Sequence, residues 1–170
     1  MDKKSILFFL PSSHFNDAEF FTVKKILEEN GIFIFVASDS NIICQSLNGQ
    51  KVKADVSLFN IHESNFSGIV LVGGAGARRY WDNVQLHRIV DKFNKAKKVV
   101  AAICSAPVTL AKAGILKGKS ATCFFEDKTE LISAGIDYKD VPVVVHGNII
   151  TANGTNASKS FADAILRLIL

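Results

Sequence analysis

The chain has 170 residues, 48% of them apolar and 21% charged, with a formal net charge of +4. That length suits one domain spanning residues 1–170, whose single core can bury roughly 70% of the unfolded chain's surface. The 20 Lys and Arg are scattered and form no stripe interleaved with aromatics, which argues against nucleic acid as a partner.

The first apolar run, Ser5–Leu10, is too short for a leader core or a membrane span. It predicts a buried strand, and with it a cytoplasmic protein that has no membrane partner. Pro11–Asn16 reads as a polar loop. Asp17–Glu29 reads as a helix, with Asp17 able to cap it, Phe20, Val23 and Leu27 near one face, and Gly31 ending it. Phe33–Ala37 is the next strand. Ser38–Glu63 is less regular: Gly49 marks a turn, and alternation around Val52–Val56 suggests a hairpin or edge strands.

Ser67–Val72 is a strand followed at once by Gly73-Gly74-Ala75-Gly76. A helix is expected near Asn83–Asn94, where Leu86, Ile89, Val90 and Phe93 make one stripe. Val99–Ile103 is a continuous apolar strand of the kind found in the middle of parallel sheets. Pro107–Ala113 is a helix closed by Gly114. A short strand near Ala121–Cys123, a helix near Lys128–Ala134, a hairpin of Val143–His146 with Ile149–Thr151, and a terminal helix over Asn156–Leu170 complete the chain. Strand–helix alternation with buried strands predicts an α/β fold, a mainly parallel central sheet between two helix layers. Ligands of such sheets sit at the carboxyl ends of the strands.

There are three cysteines, Cys44, Cys104 and Cys123, and four dispersed histidines, His14, His62, His87 and His146. An odd cysteine count with wide spacing argues against a disulfide framework. No CxxC pair or His/Cys cluster has metal-ligand spacing, so no metal is expected.

The stretch Ile103-Cys104-Ser105-Ala106-Pro107 carries the chemistry. A buried strand runs straight into a helix, with a cysteine at the junction and proline in the first helical turn. Small residues, Ala102 and Ala106, lie two positions either side of it. That is the pattern of a nucleophile elbow, a tight turn that thrusts its side chain into a cleft. Free N–H groups of the following helix are expected to lower the Cys104 thiol pKa. The competing reading is a small apolar residue filling space at a strand end. The glycines Gly73, Gly74 and Gly76 let backbone approach a ligand and expose N–H donors. A dinucleotide site does not fit, because no glycine follows at the required spacing.

Val70-Leu71-Val72-Gly73-Gly74, Ala101-Ala102-Ile103-Cys104-Ser105-Ala106-Pro107, Leu110–Gly114, Gly118–Thr122 and Gly147–Thr151 together resemble the ThiJ/PfpI superfamily. Their order and spacing match over essentially the whole chain. The resemblance implies a flavodoxin-like three-layer sandwich, a homodimer, and no cofactor. It implies that the elbow cysteine lies beside a glutamate from the first helix, which maps to Glu19, and that backbone donors map to Gly74 and Ser105. Two positions depart from the PfpI-type peptidases. Ser105 stands where those enzymes have a histidine after the cysteine, and Arg78 stands where they have an acidic residue. The sequence is more similar to the parkinsonism-linked deglycase and its bacterial relatives, which carry a small residue after the cysteine. In that branch a histidine often lies near the cysteine; here Cys123 takes its place, either packed in the core or able to resolve an oxidised Cys104. His14, on the loop after the first strand, is the histidine nearest that edge.

The expectation is therefore a cysteine-dependent enzyme on small reactive aldehydes or glycated groups, glyoxalase- or deglycase-like. Cys104 would attack, Glu19 would move the proton, and Gly74 and Ser105 would hold the oxyanion. The alternative is a non-enzymatic stress sensor or chaperone that uses Cys104 oxidation. Peptidase activity is disfavoured by Ser105 and Arg78.

Overall fold

In the computed structural model, which describes residues 3–40 and 42–170, twelve strands and five α-helices alternate along the chain. The strands are β1 (Ser5–Phe9), β2 (Ser13–Phe15), β3 (Phe33–Ser38), β4 (Ile43–Ser46), β5 (Lys51–Lys53), β6 (Val56–Ser57), β7 (Gly68–Leu71), β8 (Val99–Ile103), β9 (Ser120–Ala121), β10 (Asp137–Tyr138), β11 (Val143–His146) and β12 (Ile149–Ala152). The helices are α1 (Asp17–Glu29), α2 (Val84–Lys95), α3 (Pro107–Lys112), α4 (Lys128–Ser133) and α5 (Ser158–Ile169).

Seven strands form the main sheet in the order β11-β12-β8-β7-β1-β3-β6. Every neighbouring pair is parallel except β11 with β12. Side-chain alternation along each strand explains the layers. Ile6, Phe8, Val70, Ala101 and Ile103 face α1 and α5, meeting Phe20, Leu27, Phe161 and Ile165. Leu7, Phe9, Ile69, Val100 and Ala102 face the other way, onto Leu86, Val90 and Phe93 of α2, Val108 and Leu110 of α3 and Leu131 of α4. These strands are buried on both faces, which is why they read as unbroken apolar runs. Phe8 and Phe20 pack edge to face, ring centroids 5.2 Å apart. Truncating such a buried ring to alanine typically costs about 3–5 kcal/mol. This is the flavodoxin-like three-layer sandwich that the sequence implied.

Several expectations are corrected. The segment Ser13–Phe15, read as loop, is a strand that pairs with β4, and β4 with β5 forms the hairpin turned at Gly49. The irregular region is thus a small second sheet, β2-β4-β5, beside the carboxyl edge of the main one. Helix α1 is capped by Asn16, not Asp17: Asn16 Oδ1 accepts the Glu19 N–H at 3.0 Å. Asp17 instead accepts from Ser46 and Asn48, tying α1 to the second sheet. Gly31 does close α1, at φ +78°, with Gly31 N–H donating to Glu28 and Ile32 N–H to Leu27. Among the described residues no helix is long and apolar enough to cross a membrane.

Strand β1 has β3 on one side and β7 on the other, so the chain reverses its direction of travel across the sheet at β1 and β7. Open α/β sheets hold their ligands outside the carboxyl ends of strands at such a switch point. The start of α1, the glycine turn after β7 and the turn after β8 all meet there.

Candidate functional site

The turn after β8 places Cys104 at φ +65°, a left-handed backbone that a residue with a side chain adopts only under constraint. The constraint is visible. Cys104 N–H donates to Ala152 O at 2.9 Å, and Cys104 O accepts Phe124 N–H at 2.7 Å. Strand β12 and the segment after β9 therefore hold both peptide groups of the cysteine. Helix α3 follows at once, opened by Pro107. The side chain is 9% exposed and lines a cavity of about 220 Å³ with Asn16, Gly74, Arg78, Ser105, Phe124 and Thr155 among its walls.

Glu19 is fully buried at 0% exposure and meets the cysteine from below the cavity. Its Oε2 accepts the Gly73 N–H at 3.0 Å, Thr155 Oγ1 donates to Oε1 at 3.4 Å, and the carboxyl and the Cys104 side chain crowd the same face of Gly73. Asn16 Nδ2 in turn donates to Thr155 Oγ1 at 3.1 Å. Gly73 is glycine because nothing larger fits: a Cβ there would stand 2.5 Å from Cys104 Cβ and 2.8 Å from Glu19 Oε2. Gly74, at φ +106°, lines the cavity beside Cys104, and its N–H acts to lower the thiol pKa.

These contacts set the electrostatics. Burial raises the Glu19 carboxyl from 4.5 to about 7, against the lowering effect of its bonds to Cys104, Gly73 and Thr155. Burial, and then the Glu19 charge, push the Cys104 thiol up to about 12, against the Gly74 N–H and the Ser105 hydroxyl. The expectation of a lowered thiol pKa is thus overturned. Below about 7 the pair holds two protons, and above it one. A carboxyl with a pKa near neutrality can both take and give a proton at neutral pH.

The other candidate residues are placed as follows. Ser105 Oγ lies a long 3.9 Å from Cys104 Sγ, and the Ser105 carbonyl accepts Trp81 Nε1–H at 2.8 Å. The contact of Ser105 with the sulfur is through its hydroxyl, where the sequence suggested its N–H. Arg78 lines the cavity and pairs with Asp127. His14 does not join the cavity: its ring is exposed beside Ser13, while its backbone carbonyl faces Gly74. Cys123 is fully buried in the cluster on the opposite face of the sheet, its Sγ donating to Phe124 O at 3.3 Å. Burial and the charges of Asp127 and Cys104 push its thiol up to about 12. Asn16, Thr155 and Phe124 were not foreseen. The only sequence signal among them is Asn16, a capping residue three before Glu19.

The fold and site define a flavodoxin-like α/β protein with a strained cysteine elbow backed by a buried carboxyl. The chain belongs to the DJ-1/PfpI family, whose profile matches residues 4–168. It is 31% identical over 146 residues to the deglycase PfpI of Pyrococcus furiosus, covering 86% of this chain and 88% of that one. It is 25% identical over 167 residues to the glutathione-independent glyoxalase DJR-1.2 of Caenorhabditis elegans, covering 98% and 89%. Among solved structures, the ThiJ/PfpI domain protein of Brachyspira murdochii superposes with a TM-score of 0.95 at 32% identity, covering 98% of this chain and 97% of that one.

Proposed function

We propose that this protein is a cysteine-dependent enzyme acting on reactive carbonyls, glyoxalase- or deglycase-like. The observation that carries the reading is the fully buried Glu19 carboxyl packed against Cys104 around Gly73, behind a small cavity that Cys104 lines, with the carboxyl raised to about 7. The names of two relatives, a deglycase and a glyoxalase, favour the same class of substrate. In this reaction Glu19, as carboxylate, takes the thiol proton as Cys104 sulfur adds to an aldehyde carbon. The proton passes to the new alkoxide, completing a hemithioacetal. With a 1,2-dicarbonyl, Glu19 then moves a proton from the attacked carbon to its neighbour, the hydroxyl proton passes to the neighbouring oxygen, and water cleaves the resulting thioester to the 2-hydroxy acid and free thiol. The Gly74 N–H steadies the oxyanion. Arriving substrate supplies the driving force, so no free thiolate has to accumulate at a thiol of such high pKa.

The same burial weighs against the sensor reading, since peroxide attacks thiolate and burial and the Glu19 charge both raise this thiol's pKa. Peptidase chemistry lacks its histidine: none lines the cavity, and Ser105 and Arg78 occupy the positions where peptidases of the superfamily place one and its partner.

The test is turnover of methylglyoxal by purified protein, with Cys104→Ser and Glu19→Gln as controls. Turnover lost in both variants, each still folded by circular dichroism, supports the reading. Turnover that survives Cys104→Ser, or none in the wild type, refutes it.

A further inference from the structure

Among the residues that line the Cys104 cavity, Arg78 alone carries a charge. The proposed proton transfers do not use it. Its position is nevertheless built. Arg78 Nε donates to Asp127 Oδ1 at 3.1 Å, and Nη2 lies 3.0 Å from the same oxygen. Asp127 is 5% exposed, and its Oδ2 has no hydrogen-bond partner among the described residues, so this carboxylate depends on Arg78 for its burial. Glu126 stands further off, Oε2 4.0 Å from Nη2, and is well exposed.

A guanidinium has five N–H donors in a fixed fork. The pair with Asp127 occupies the Nε and Nη2 side; among the described residues the hydrogen bonds of Arg78 leave Nη1 unused. The fork is thus fixed along one edge and open along the other, in the wall of a cavity otherwise made of neutral side chains and glycine backbone. Planar, fixed donors of this kind recognise carboxylates. The site has a need for them. Above about pH 7 the Glu19–Cys104 pair carries a negative charge, which repels an anionic substrate unless directed donors offset it.

We propose that Arg78 makes the cavity selective for electrophiles that carry a carboxylate, so that in the reaction proposed above the preferred substrates are carboxylate-bearing 1,2-dicarbonyls. This rests on Cys104 being the nucleophile. For R–CO–CHO the sulfur adds to the aldehyde carbon and the thiol proton goes to the aldehyde oxygen. The C–H proton of that carbon moves to the neighbouring carbon and its hydroxyl proton to the neighbouring oxygen, leaving a 2-hydroxy thioester, and water cleaves the thioester to the 2-hydroxy acid and free thiol. The sum is addition of one water, with no oxidant or reductant. Arg78 touches only R, and only when R ends in an anion; it is a specificity residue.

The experiment compares Cys104 alkylation by iodoacetate and by iodoacetamide, which differ mainly in charge, read by peptide mass mapping at pH 7.5. The iodoacetate-to-iodoacetamide rate ratio at Cys104 should exceed that of glutathione by about tenfold, the size expected for one charge-assisted contact. Arg78→Gln, whose amide can still donate to Asp127, should return the ratio to that of glutathione and leave the iodoacetamide rate within about twofold. Arg78→Lys should fall between. The paired variant Arg78→Gln/Asp127→Asn, which leaves no uncompensated buried charge, should match Arg78→Gln. A wild-type ratio equal to that of glutathione, or one unchanged by these substitutions, overturns the proposal. Turnover of 4,5-dioxopentanoate against methylglyoxal is then measured, with the preference for the former expected to vanish in Arg78→Gln through KM. If neither dicarbonyl turns over but the alkylation ratio follows Arg78, the anion selectivity stands and the carbonyl-enzyme reading falls. If both turn over and the ratio ignores Arg78, the selectivity falls alone.

Discussion

Glu19→Gln should make the protein more stable than wild type at alkaline pH and leave the two alike in acid. Glu19 is fully buried, and its carboxyl is raised from 4.5 to about 7 by that burial. A group whose folded pKa lies above its unfolded value binds its proton more tightly when folded. Its contribution to stability is fully present below about 4.5 and is lost as pH climbs through about 7. The gap of roughly 2.5 units corresponds to about 3 kcal/mol. Glutamine has nearly the same shape, can accept the Gly73 N–H, and does not titrate, so it escapes that loss. The Cys104 and Cys123 thiols, both pushed up to about 12, keep their protons across this window and do not confuse it. Stability of the two proteins is measured by urea denaturation at pH 4.5 and pH 8. The difference, variant minus wild type, should grow by about 3 kcal/mol between those conditions, or roughly 6–12 °C in Tm for a chain of this length. A difference that stays constant with pH would mean that Glu19 titrates as an ordinary carboxylate, and the proton-shuttle argument would lose its basis.

Limited alkylation of the folded protein should label Cys104 before Cys44 and Cys123, because Cys104 is 9% exposed on a cavity wall and the others are 0% exposed; peptide mass mapping decides it. Gly73→Ala should destabilise the fold by about 1–3 kcal/mol, the usual range for overpacking, because the new methyl meets Cys104 Cβ and the Ile103 carbonyl. A melting temperature equal to wild type would show that the turn after β7 has room to spare. Titration of Cys104 by the pH dependence of its alkylation should give a pKa above 9.0, and Glu19→Gln should lower it by removing a neighbouring charge; a value well below 9.0 in the wild type would mean that burial and the Glu19 charge do not govern the thiol.

The sheet and its helices were legible because their signals are local and redundant. Leu86, Ile89, Val90 and Phe93 all recur on one helical face, and β8 is apolar at every position because both of its faces are covered. Of the second sheet, the Gly49 turn and its hairpin were legible, but β2 was not, because it is three residues long and gains its partner from β4, some thirty residues on. Propensity says little about so short a segment when pairing decides it. In the site, Cys104 could be read from its position at a strand-to-helix turn. Thr155 and Phe124 could not, since distant segments bring them to the cavity and neither carries a motif.

Glu19 shows how a local rule is set aside for a site. With Asn16 as the cap, Asn16-Asp17-Ala18-Glu19 has the spacing of a capping box, in which the residue at the third helical position reaches back to the cap's own N–H. Half of that box forms: Asn16 Oδ1 accepts the Glu19 N–H. The other half does not, because Asn16 N–H already donates to Gly73 O at 2.9 Å. Relieved of the cap, the Glu19 carboxyl turns inward to Gly73 N–H and Cys104. Gly73 thus supplies both the carbonyl that replaces Glu19 at the helix terminus and the N–H that receives it in the site. The thiol follows from the same arrangement. Helix α3 has only six residues and offers a weak positive end, while full burial of the carboxyl places a second acid against the sulfur. Desolvation and that neighbour outweigh the helix and raise the thiol pKa, which is why the proposed reaction assigns Glu19 to take the proton when a carbonyl arrives.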